Sequence, residues 1–300
     1  DKETGMIYYG MAQPGPDRNG THAPGPRLFG TAFVALDART GEFKWAYQTS
    51  PRDLWDYDCS WNTMLAETMV RGQNRKVMIG GCKNGIIYVL DAATGYAYHA
   101  LETDFIKRCT DTNSGSNGKS LCTLYDPTSR ADMLKPWLNW PDTGGFWENC
   151  WTAGCLESDF AFDSERNMVY AGIMNWPTWT NVGNADHRGA SVAGCNAACM
   201  EERGQAPAPE RPDTHPINAS IIGWDVDTGE EIWSYFIDGR GFRGGVMVSG
   251  GVVWFSAIDG HATGLDADTG EVLYRHNTGT SSVIQPTIGA DSDGNMKIFR

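Results

Sequence analysis

The sequence predicts an all-β fold, and three features of its 300 residues support this prediction. It contains 12 tryptophans and 36 glycines, which combine much aromatic surface with many tight turns. Short apolar runs alternate with Asp, Thr and Gly turn residues along the chain. One strand–turn–strand pattern also recurs several times. Apolar residues make up 41% of the chain, so a sizeable core can form.

The repeated pattern is a strand, a tight turn with Asp and Thr-Gly, and a second strand. The turn needs Gly for its positive φ, and the Asp can accept bonds from amides of its own turn. An aromatic residue four positions after the Gly would pack between neighbouring units, but the second copy has His99 at that position. The four copies lie at residues 35–45, 89–95, 223–233 and 264–274. Several strands per unit at a period of about 40 to 50 residues are typical of β-propellers.

Additional strand signals complete the predicted units. They lie at residues 6–10, 31–34, 85–88, 168–172 and 252–257. We therefore expect residues 1–300 to form a partial propeller of roughly five blades, two of them degenerate. Polar, Cys- and Pro-bearing sequence predicts loop insertions at about residues 100–145 and 178–218. Because an unclosed propeller exposes strand edges, we expect the missing blades in another chain or in an N-terminal part.

Charge and apolar runs exclude two classes of partner. The net charge of −13 would repel the phosphates of nucleic acid. It is compatible with a secreted protein or with docking to a basic partner. No run of 18 or more apolar residues occurs, so we predict no membrane span.

Eight cysteines, an even number, favour disulfides and a periplasmic or secreted location. Six of them form local pairs, namely Cys109 with Cys122, Cys150 with Cys155, and Cys195 with Cys199. Cys59 and Cys82 flank the candidate site described next. Metal binding is the alternative, but the spacings match neither C-x2-C pairs nor the histidine positions of zinc sites.

The candidate site is the acidic stretch at residues 53–58. If this stretch is extended, Asp56 and Asp58 point to one side, while Trp55 and Tyr57 point into packing. Two carboxylates on one side repel unless a cation or a proton lies between them. The stretch is therefore either a paired-carboxylate site, for a hard metal or for proton abstraction, or a solvated acidic turn. Lys83 precedes a buried apolar run and favours the first interpretation, because a lysine beside carboxylates could balance an anionic ligand.

The order of the first repeat, the Trp-Asp-Tyr-Asp stretch and the Lys-Asn-Gly-Ile-Ile-Tyr-Val-Leu-Asp run resembles the pyrroloquinoline quinone (PQQ)-dependent alcohol dehydrogenases of the methanol/ethanol quinoprotein family. The resemblance covers most of the chain and corresponds to the C-terminal half of these enzymes. It implies an eight-bladed propeller, of which this chain supplies roughly five blades. It also implies a PQQ cofactor with Ca²⁺ or a lanthanide ion, an alcohol substrate and a cytochrome c as electron acceptor. The family's glutamate metal ligand, vicinal disulfide and stacking tryptophan belong to its N-terminal half.

The same resemblance assigns roles to the acidic and lysine residues. Asp56 matches the catalytic base, and it is expected to contact the metal. Asp58 matches the additional metal ligand of lanthanide-using members. Lys83 matches the Lys or Arg that contacts the quinone oxygens.

Three further residues are carried over with departures from the family. Gln13 replaces the metal-ligating Asn, so its longer side chain would need a shifted geometry. Asn175 resembles an asparagine that contacts PQQ from a strand end. Arg243 precedes Gly-Gly where the family usually has Trp. It could meet a carboxylate of PQQ, touch the cofactor only through its backbone amide, or be a surface arginine.

A non-catalytic propeller that serves as a scaffold is the alternative function. The blade repeat does not discriminate between the two, because scaffold propellers carry it as well. Asp56, Asp58 and Lys83 together favour the enzyme, because a scaffold has no evident use for them.

Overall fold

The computed structural model describes residues 1–15, 27–50, 53, 56–102, 145–148, 155–181, 210–211, 213, 216–239 and 241–299. For residues 145–148 and 178–181 it describes the backbone only. Within these ranges the regular elements are all strands, which confirms the predicted all-β class. The described residues contain no helix that is long and apolar enough to cross a membrane.

The strands follow one another in short antiparallel steps. They are β1 (Met6–Gly10), β2 (Ala32–Asp37), β3 (Phe43–Gln48), β4 (Thr63–Val70), β5 (Gln73–Gly81), β6 (Ile87–Asp91), β7 (Ala97–Leu101), β8 (Gly145–Glu148), β9 (Ala161–Asp163), β10 (Met168–Asn175), β11 (Thr178–Asn181), β12 (Asn218–Asp225), β13 (Glu231–Asp238), β14 (Val246–Ser249), β15 (Val252–Ser256), β16 (His261–Asp266), β17 (Val272–Asn277), β18 (Thr287–Ala290) and β19 (Met296–Phe299).

These strands form five successive sheets, which agrees with the predicted number of roughly five blades. Sheet 1 is β1-β2-β3, sheet 2 is β4-β5-β6-β7, sheet 3 is β9-β10-β12-β13, sheet 4 is β14-β15-β16-β17 and sheet 5 is β18-β19. A separate two-stranded sheet pairs β8 with β11. Most residues of the predicted insertions at 100–145 and 178–218 lie outside the described ranges, so their boundaries stay a prediction.

The Asp-Thr-Gly turns have the local chemistry that the repeat predicts. In each turn the Asp Oδ1 accepts N–H bonds from the second and third residues that follow it, and the Gly has a φ of 70° to 77°. The four aspartates are Asp37, Asp91, Asp225 and Asp266. Because only Gly adopts this conformation without steric cost, the sequence fixes each hairpin at its turn.

An aromatic side chain from one sheet fastens the turn of the next sheet. The Trp45 Nε1 donates to the Ala92 carbonyl at 3.0 Å, and the Trp233 Nε1 donates to the Ala267 carbonyl at 2.9 Å. His99 takes this position in sheet 2, where its Nε2 donates to the Asp227 carbonyl at 3.1 Å. His99 therefore preserves the intersheet contact that the repeat assigns to an aromatic residue.

Apolar side chains between the sheets form two clusters. The first fills the space between sheets 1, 2 and 3, and the second lies between sheets 3 and 4. Val169 and Ile173 of β10 face the first cluster, whereas Tyr170 and Met174 face the second, as the alternation of a strand requires. By contrast, all six residues of β17 are exposed. Sheet 4 thus ends in an edge strand with three exposed apolar side chains, Val272, Leu273 and Tyr274.

Candidate active site

The candidate site lies where β5 turns into β6, next to the loop that precedes β4. The Lys83 N–H donates to the Asp58 carbonyl at 2.8 Å, and the Lys83 carbonyl accepts from the Cys155 N–H at 2.8 Å. The Met174 N–H near the end of β10 in turn donates to the Cys155 carbonyl at 2.7 Å. These main-chain bonds bring three segments that are distant in sequence to one end of sheets 2 and 3.

Asp56, Asp58 and Lys83 lie together in the structure. The Lys83 Nζ is 2.7 Å from Asp58 Oδ2 and 3.5 Å from Asp56 Oδ1. All three side chains are largely buried, with Lys83 only 9% exposed. Two buried carboxylates beside one ammonium group form a charge-paired cluster rather than a solvated turn.

The two carboxylates reach one side by a different route from the predicted extended strand. Residues 56–60 form no strand, and Asp56 has a φ of 71°. This left-handed conformation costs a non-glycine residue about 1–2 kcal/mol. Asp53 stabilises the loop, because its buried Oδ2 accepts the Tyr57 N–H at 2.8 Å and the Thr31 Oγ1 hydroxyl at 2.6 Å. Tyr57 is buried in the core, as predicted, whereas Trp55 lies outside the described residues.

Gln13 contacts the site through its main chain. Its N–H donates to Asp58 Oδ1 at 2.7 Å, so Asp58 is held by Gln13 on one oxygen and by Lys83 on the other. The approach of this segment depends on Gly10, where an added Cβ would lie 1.5 Å from the Cys59 carbonyl oxygen. The predicted role of the Gln13 side chain as a metal ligand stays a prediction.

A disulfide joins Cys59 to Cys82, with a Cα–Cα distance of 4.1 Å. Both cysteines are fully buried, and each is adjacent in sequence to a charged residue of the site, Asp58 or Lys83. The disulfide therefore ties the loop that carries Asp58 to the turn that carries Lys83. Cys155 is also disulfide-bonded, while the other cysteines of the predicted local pairs lie outside the described residues.

Glu157 is a member of the site that sequence analysis did not find. Its Oε1 lies 3.8 Å from Lys83 Nζ, and its Oε2 lies 2.7 Å from Arg243 Nε without the orientation of a hydrogen bond. In sequence it is one acid among the polar residues that precede β9, and only its neighbours Leu156 and Phe160 hint at burial. The partners that make it part of the site are 74 and 86 residues away in the chain.

The pKa values of Lys83 and Glu157 are both raised, for different reasons. Burial by itself lowers the pKa of Lys83, but the hydrogen bond to Asp58 and the other nearby carboxylates outweigh it, so the pKa is raised. Burial raises the pKa of Glu157, and the neighbouring carboxylates raise it further, although Arg243 and Lys83 act to lower it. Lys83 is therefore held as a cation within the cluster.

Asn175 ends β10 near the backbone link to Lys83. Its Nδ2 donates to the Pro216 carbonyl at 2.9 Å, which fixes the orientation of the amide. Its Oδ1 is buried and accepts no hydrogen bond. Asn218, directly opposite in β12, also has a buried Oδ1 without a partner. These acceptors fit a ligand that carries N–H or O–H donors.

The residues present fit part of a metal site. No group of three or more His, Cys, Asp or Glu side chains in the described ranges is arranged to hold a metal ion. Asp56 and Asp58 nevertheless converge on a single cation, the Lys83 ammonium group. Carboxylate oxygens are the ligands that hard cations such as Ca²⁺ prefer.

Family models match both ends of the chain. Residues 1–112, which include Asp56, Asp58 and Lys83, match the model for the glucose/ethanol/alcohol dehydrogenase β-propeller domain. Residues 216–292 match the model for the outer membrane protein assembly factor BamB. The cluster of acids around Lys83 thus draws most of its residues from the part that matches the dehydrogenase model.

Individual relatives extend this similarity over nearly the whole chain. A putative dehydrogenase XoxF of Paracoccus denitrificans is 27% identical over 288 residues, which cover 93% of this chain and 44% of that protein. The crystal structure of the quinohemoprotein alcohol dehydrogenase from Comamonas testosteroni aligns with 99% of this chain and 42% of its own, at a TM-score of 0.72 and 22% identity. A europium-containing methanol dehydrogenase aligns with 99% of this chain and 49% of its own, at a TM-score of 0.67 and 20% identity.

These alignments agree with the order of the sheets and with the blade repeat. The chain spans less than half the length of these relatives, so it corresponds to part of their propeller. The resemblance that the sequence predicts is confirmed: over nearly its whole length the chain is similar to part of the quinoprotein alcohol dehydrogenases, and its sheets follow the fold of their β-propeller.

Proposed function

We propose that this chain forms part of a PQQ-dependent alcohol dehydrogenase that oxidises an alcohol to an aldehyde or ketone. The observation that carries the proposal is the buried cluster of Asp56, Asp58 and Lys83 at one end of the propeller sheets. Two observations support it: the cluster lies in the part of the chain that matches the dehydrogenase model, and the relatives that match the chain include quinone-linked and quinohemoprotein alcohol dehydrogenases.

Asp56 is the general base of the proposed reaction. It would accept the proton of the substrate hydroxyl, a step that typically contributes 10²- to 10⁴-fold to the rate. Its carboxylate is 16% exposed, the largest exposed fraction among the three acids that lie beside Lys83. Asp53 supports this role, because it accepts the Tyr57 N–H and so holds the loop that carries Asp56.

Lys83, Asn175 and Arg243 are the proposed cofactor-binding residues. The Lys83 ammonium group would donate to anionic oxygens of the ligand, and the unpaired Asn175 Oδ1 would accept a donor. When bound, PQQ would supply the hydride acceptor for the alcohol carbon, and the metal ion would supply Lewis acidity. Placing the reacting groups side by side converts a bimolecular encounter into a step within one complex.

Asp56, Asp58 and Gln13 are the proposed metal ligands. The two carboxylates already share a cation, and a second acid adds the negative charge that a trivalent ion favours. We propose Ca²⁺ as the resident ion and a lanthanide ion as the alternative. Metal analysis of the natural protein distinguishes the two.

The proposed enzyme is completed by partners. The exposed apolar residues of β17 support packing of further blades against sheet 4, supplied by another chain or by an N-terminal part of this protein. We infer that the electrons of the substrate pass to a cytochrome c or a similar acceptor. The buried disulfide supports a periplasmic or secreted location.

A scaffold propeller is the second candidate function. The match of residues 216–292 to the model for an outer membrane protein assembly factor is the observation that favours it. The buried acids around Lys83 count against it. Burying charged groups costs stability unless they are paired, and a scaffold gains nothing from the arrangement.

An absorption spectrum and a metal analysis of the natural full-length protein test the proposal. We expect a bound quinone and one equivalent of metal, and we expect Asp56→Asn to lose at least 100-fold in dye-linked alcohol oxidation. Asp37→Asn, which alters an exposed turn acid far from the site, is the matched control and should keep full activity. A natural protein without quinone and metal, or unchanged turnover in Asp56→Asn, would support the scaffold instead.

A further inference from the structure

Glu157 stands at the junction of three sheets. It belongs to the segment of residues 155–160, which donates to the Lys83 carbonyl at 2.8 Å and so bonds to sheet 2. The Met174 N–H of sheet 3 donates to this segment at 2.7 Å, and the Val246 N–H of sheet 4 donates to it at 3.2 Å. The main chain around Glu157 is therefore fixed from three directions.

The Glu157 side chain spans the gap between two basic residues. One carboxylate oxygen faces Lys83 at 3.8 Å, and the other faces Arg243 at 2.7 Å. Glu157 is only 8% exposed, whereas Arg243 is 49% exposed. A buried acid thus connects an arginine at the surface to a lysine inside the site.

Lys83 needs more than one partner to hold a single position. Its ammonium group ends a flexible four-carbon side chain and has three donors that rotate freely. Asp58 and Asp56 approach it from the loop before β4, and Glu157 approaches it from the 155–160 segment. Without Glu157, the lysine would be drawn only towards the two acids that are proposed to bind metal.

We propose that Glu157 is a positioning residue, which holds Lys83 available to an anionic cofactor and transmits the effect of Arg243 to it. This inference rests on the proposed function for the identity of the ligand. It departs from the predicted role of Arg243, because the arginine then acts through Glu157 rather than by touching the cofactor.

The two roles of Arg243 make opposite predictions for combined variants. If Arg243 acts through Glu157, removing the arginine has no further effect once the acid is gone. If Arg243 contacts the ligand itself, the two losses multiply, because independent contacts contribute additively to the free energy of binding.

The test is the dissociation constant of PQQ, measured by quenching of tryptophan fluorescence in the natural full-length protein with saturating Ca²⁺. The variants are Glu157→Gln, Arg243→Gln, the double variant and the conservative Glu157→Asp. Glu165→Gln is the matched control, because it removes the same charge from an exposed turn between β9 and β10. Circular dichroism and urea unfolding of each variant report on the fold.

We expect Glu157→Gln to weaken PQQ binding by about 10- to 100-fold, by analogy with the loss of a residue that orients a metal ligand. Arg243→Gln should weaken it by a smaller factor, and the double variant should match Glu157→Gln within about twofold. Glu157→Asp should recover part of the affinity, and Glu165→Gln should bind as the wild type does.

Three results would overturn the inference. Equal affinity of Glu157→Gln and the wild type would remove the positioning role and leave the proposed function intact. Multiplying losses in the double variant would place Arg243 on the ligand itself. A wild type that binds no PQQ would end the proposed function, and this role of Glu157 with it. If Glu157→Gln does not fold, Arg243→Gln and Glu157→Asp test the inference instead. Both should fold and bind PQQ more weakly than the wild type does.

Discussion

Sheets 2 and 4 contain the same turn and use it in different ways. In sheet 2 the Cys82 N–H donates to the Ile86 carbonyl at 3.1 Å, and in sheet 4 the Ala257 N–H donates to the His261 carbonyl at 3.2 Å. The glycine of each turn has a φ of 81°. The backbone of the turn is therefore the same in both sheets, and the two turns differ in their side chains.

The residue at the tip of the turn differs most. Lys83 in sheet 2 is buried among three carboxylates, whereas the corresponding residue of sheet 4 is Ile258. The next position is Asn84 in one turn and Asp259 in the other, and both side chains accept an N–H from two residues further on. The fold supplies the turn, and a few residues placed on it supply the chemistry.

The largest difference between the two turns should follow from replacing the tip residue. Lys83→Met leaves three buried carboxylates without their shared cation, so the free energy of unfolding should fall by about 3–5 kcal/mol at neutral pH. Ile258→Met in sheet 4 should cost less than about 1.5 kcal/mol, because size and polarity are nearly conserved. Urea unfolding of both variants measures this, and equal losses would contradict the assignment of a charged cluster to sheet 2 alone.

The disulfide adds a second contrast, because it fastens the turn of sheet 2 to the loop before β4. Replacing both Cys59 and Cys82 by Ala should lower stability by about 3 kcal/mol, as expected for a bond that closes a loop of this length. Thermal unfolding with and without reductant provides the control. Reductant should not act on the double variant at this position. If the variant and the wild type unfold at the same midpoint temperature with and without reductant, the disulfide does not stabilise the fold.

The side chains next to the tip should show a smaller effect of the same sign. Asn84→Ala removes the amide that donates to the buried Tyr88 hydroxyl at 2.9 Å, which should cost about 1–3 kcal/mol. Asp259→Ala removes an ion pair with Arg275, a residue that is half exposed, and should cost about 1 kcal/mol or less. Chemical unfolding compares the two, and a larger loss at Asp259 would reverse the contrast.

The smallest effect concerns pH and the outer strand of sheet 2, which carries His99. Burial lowers the pKa of His99, although the bond to Asp227 acts in the opposite direction. The folded state therefore favours the neutral ring, so its contribution to stability is present above a pH of about 6.5 and is lost as the pH falls through the folded pKa. His99→Gln should flatten this part of the stability profile below pH 6.5, as measured by urea unfolding at several pH values. Parallel profiles of variant and wild type would contradict the shift.

Much of the fold can be predicted from sequence because its signals are local. The Asp and Gly of each turn, the alternation along β10 and the aromatic residue after the turn all act within a few residues or on the adjacent sheet. The proximity of Asp56 to Asp58 and the presence of Lys83 could be predicted for the same reason. The left-handed backbone at Asp56 could not be predicted, because it depends on the buried Asp53 carboxylate. In the sequence Asp53 looks like a further acid of the site, beside Asp56 and Asp58.

The remaining features of the site depend on long-range contacts. Glu157 joins Lys83 and Arg243 only when three sheets meet around residues 155–160. Gln13 contributes its N–H to Asp58, and the sequence pattern draws attention to its side chain instead. Neither feature leaves a local pattern, so neither is visible before the sheets are assembled.

Three side-chain bonds between sheets also bear on how the chain folds as it is synthesised. Each runs from one sheet to the turn of the next: from Trp45 to Ala92, from His99 to Asp227 and from Trp233 to Ala267. The partner of each donor is thus made later, after 47, 128 and 34 further residues respectively. We expect sheets 1, 2 and 3 to leave the ribosome without these bonds, and to form them only when the next sheet has emerged. Sheet 2 should form its bond after the longest delay.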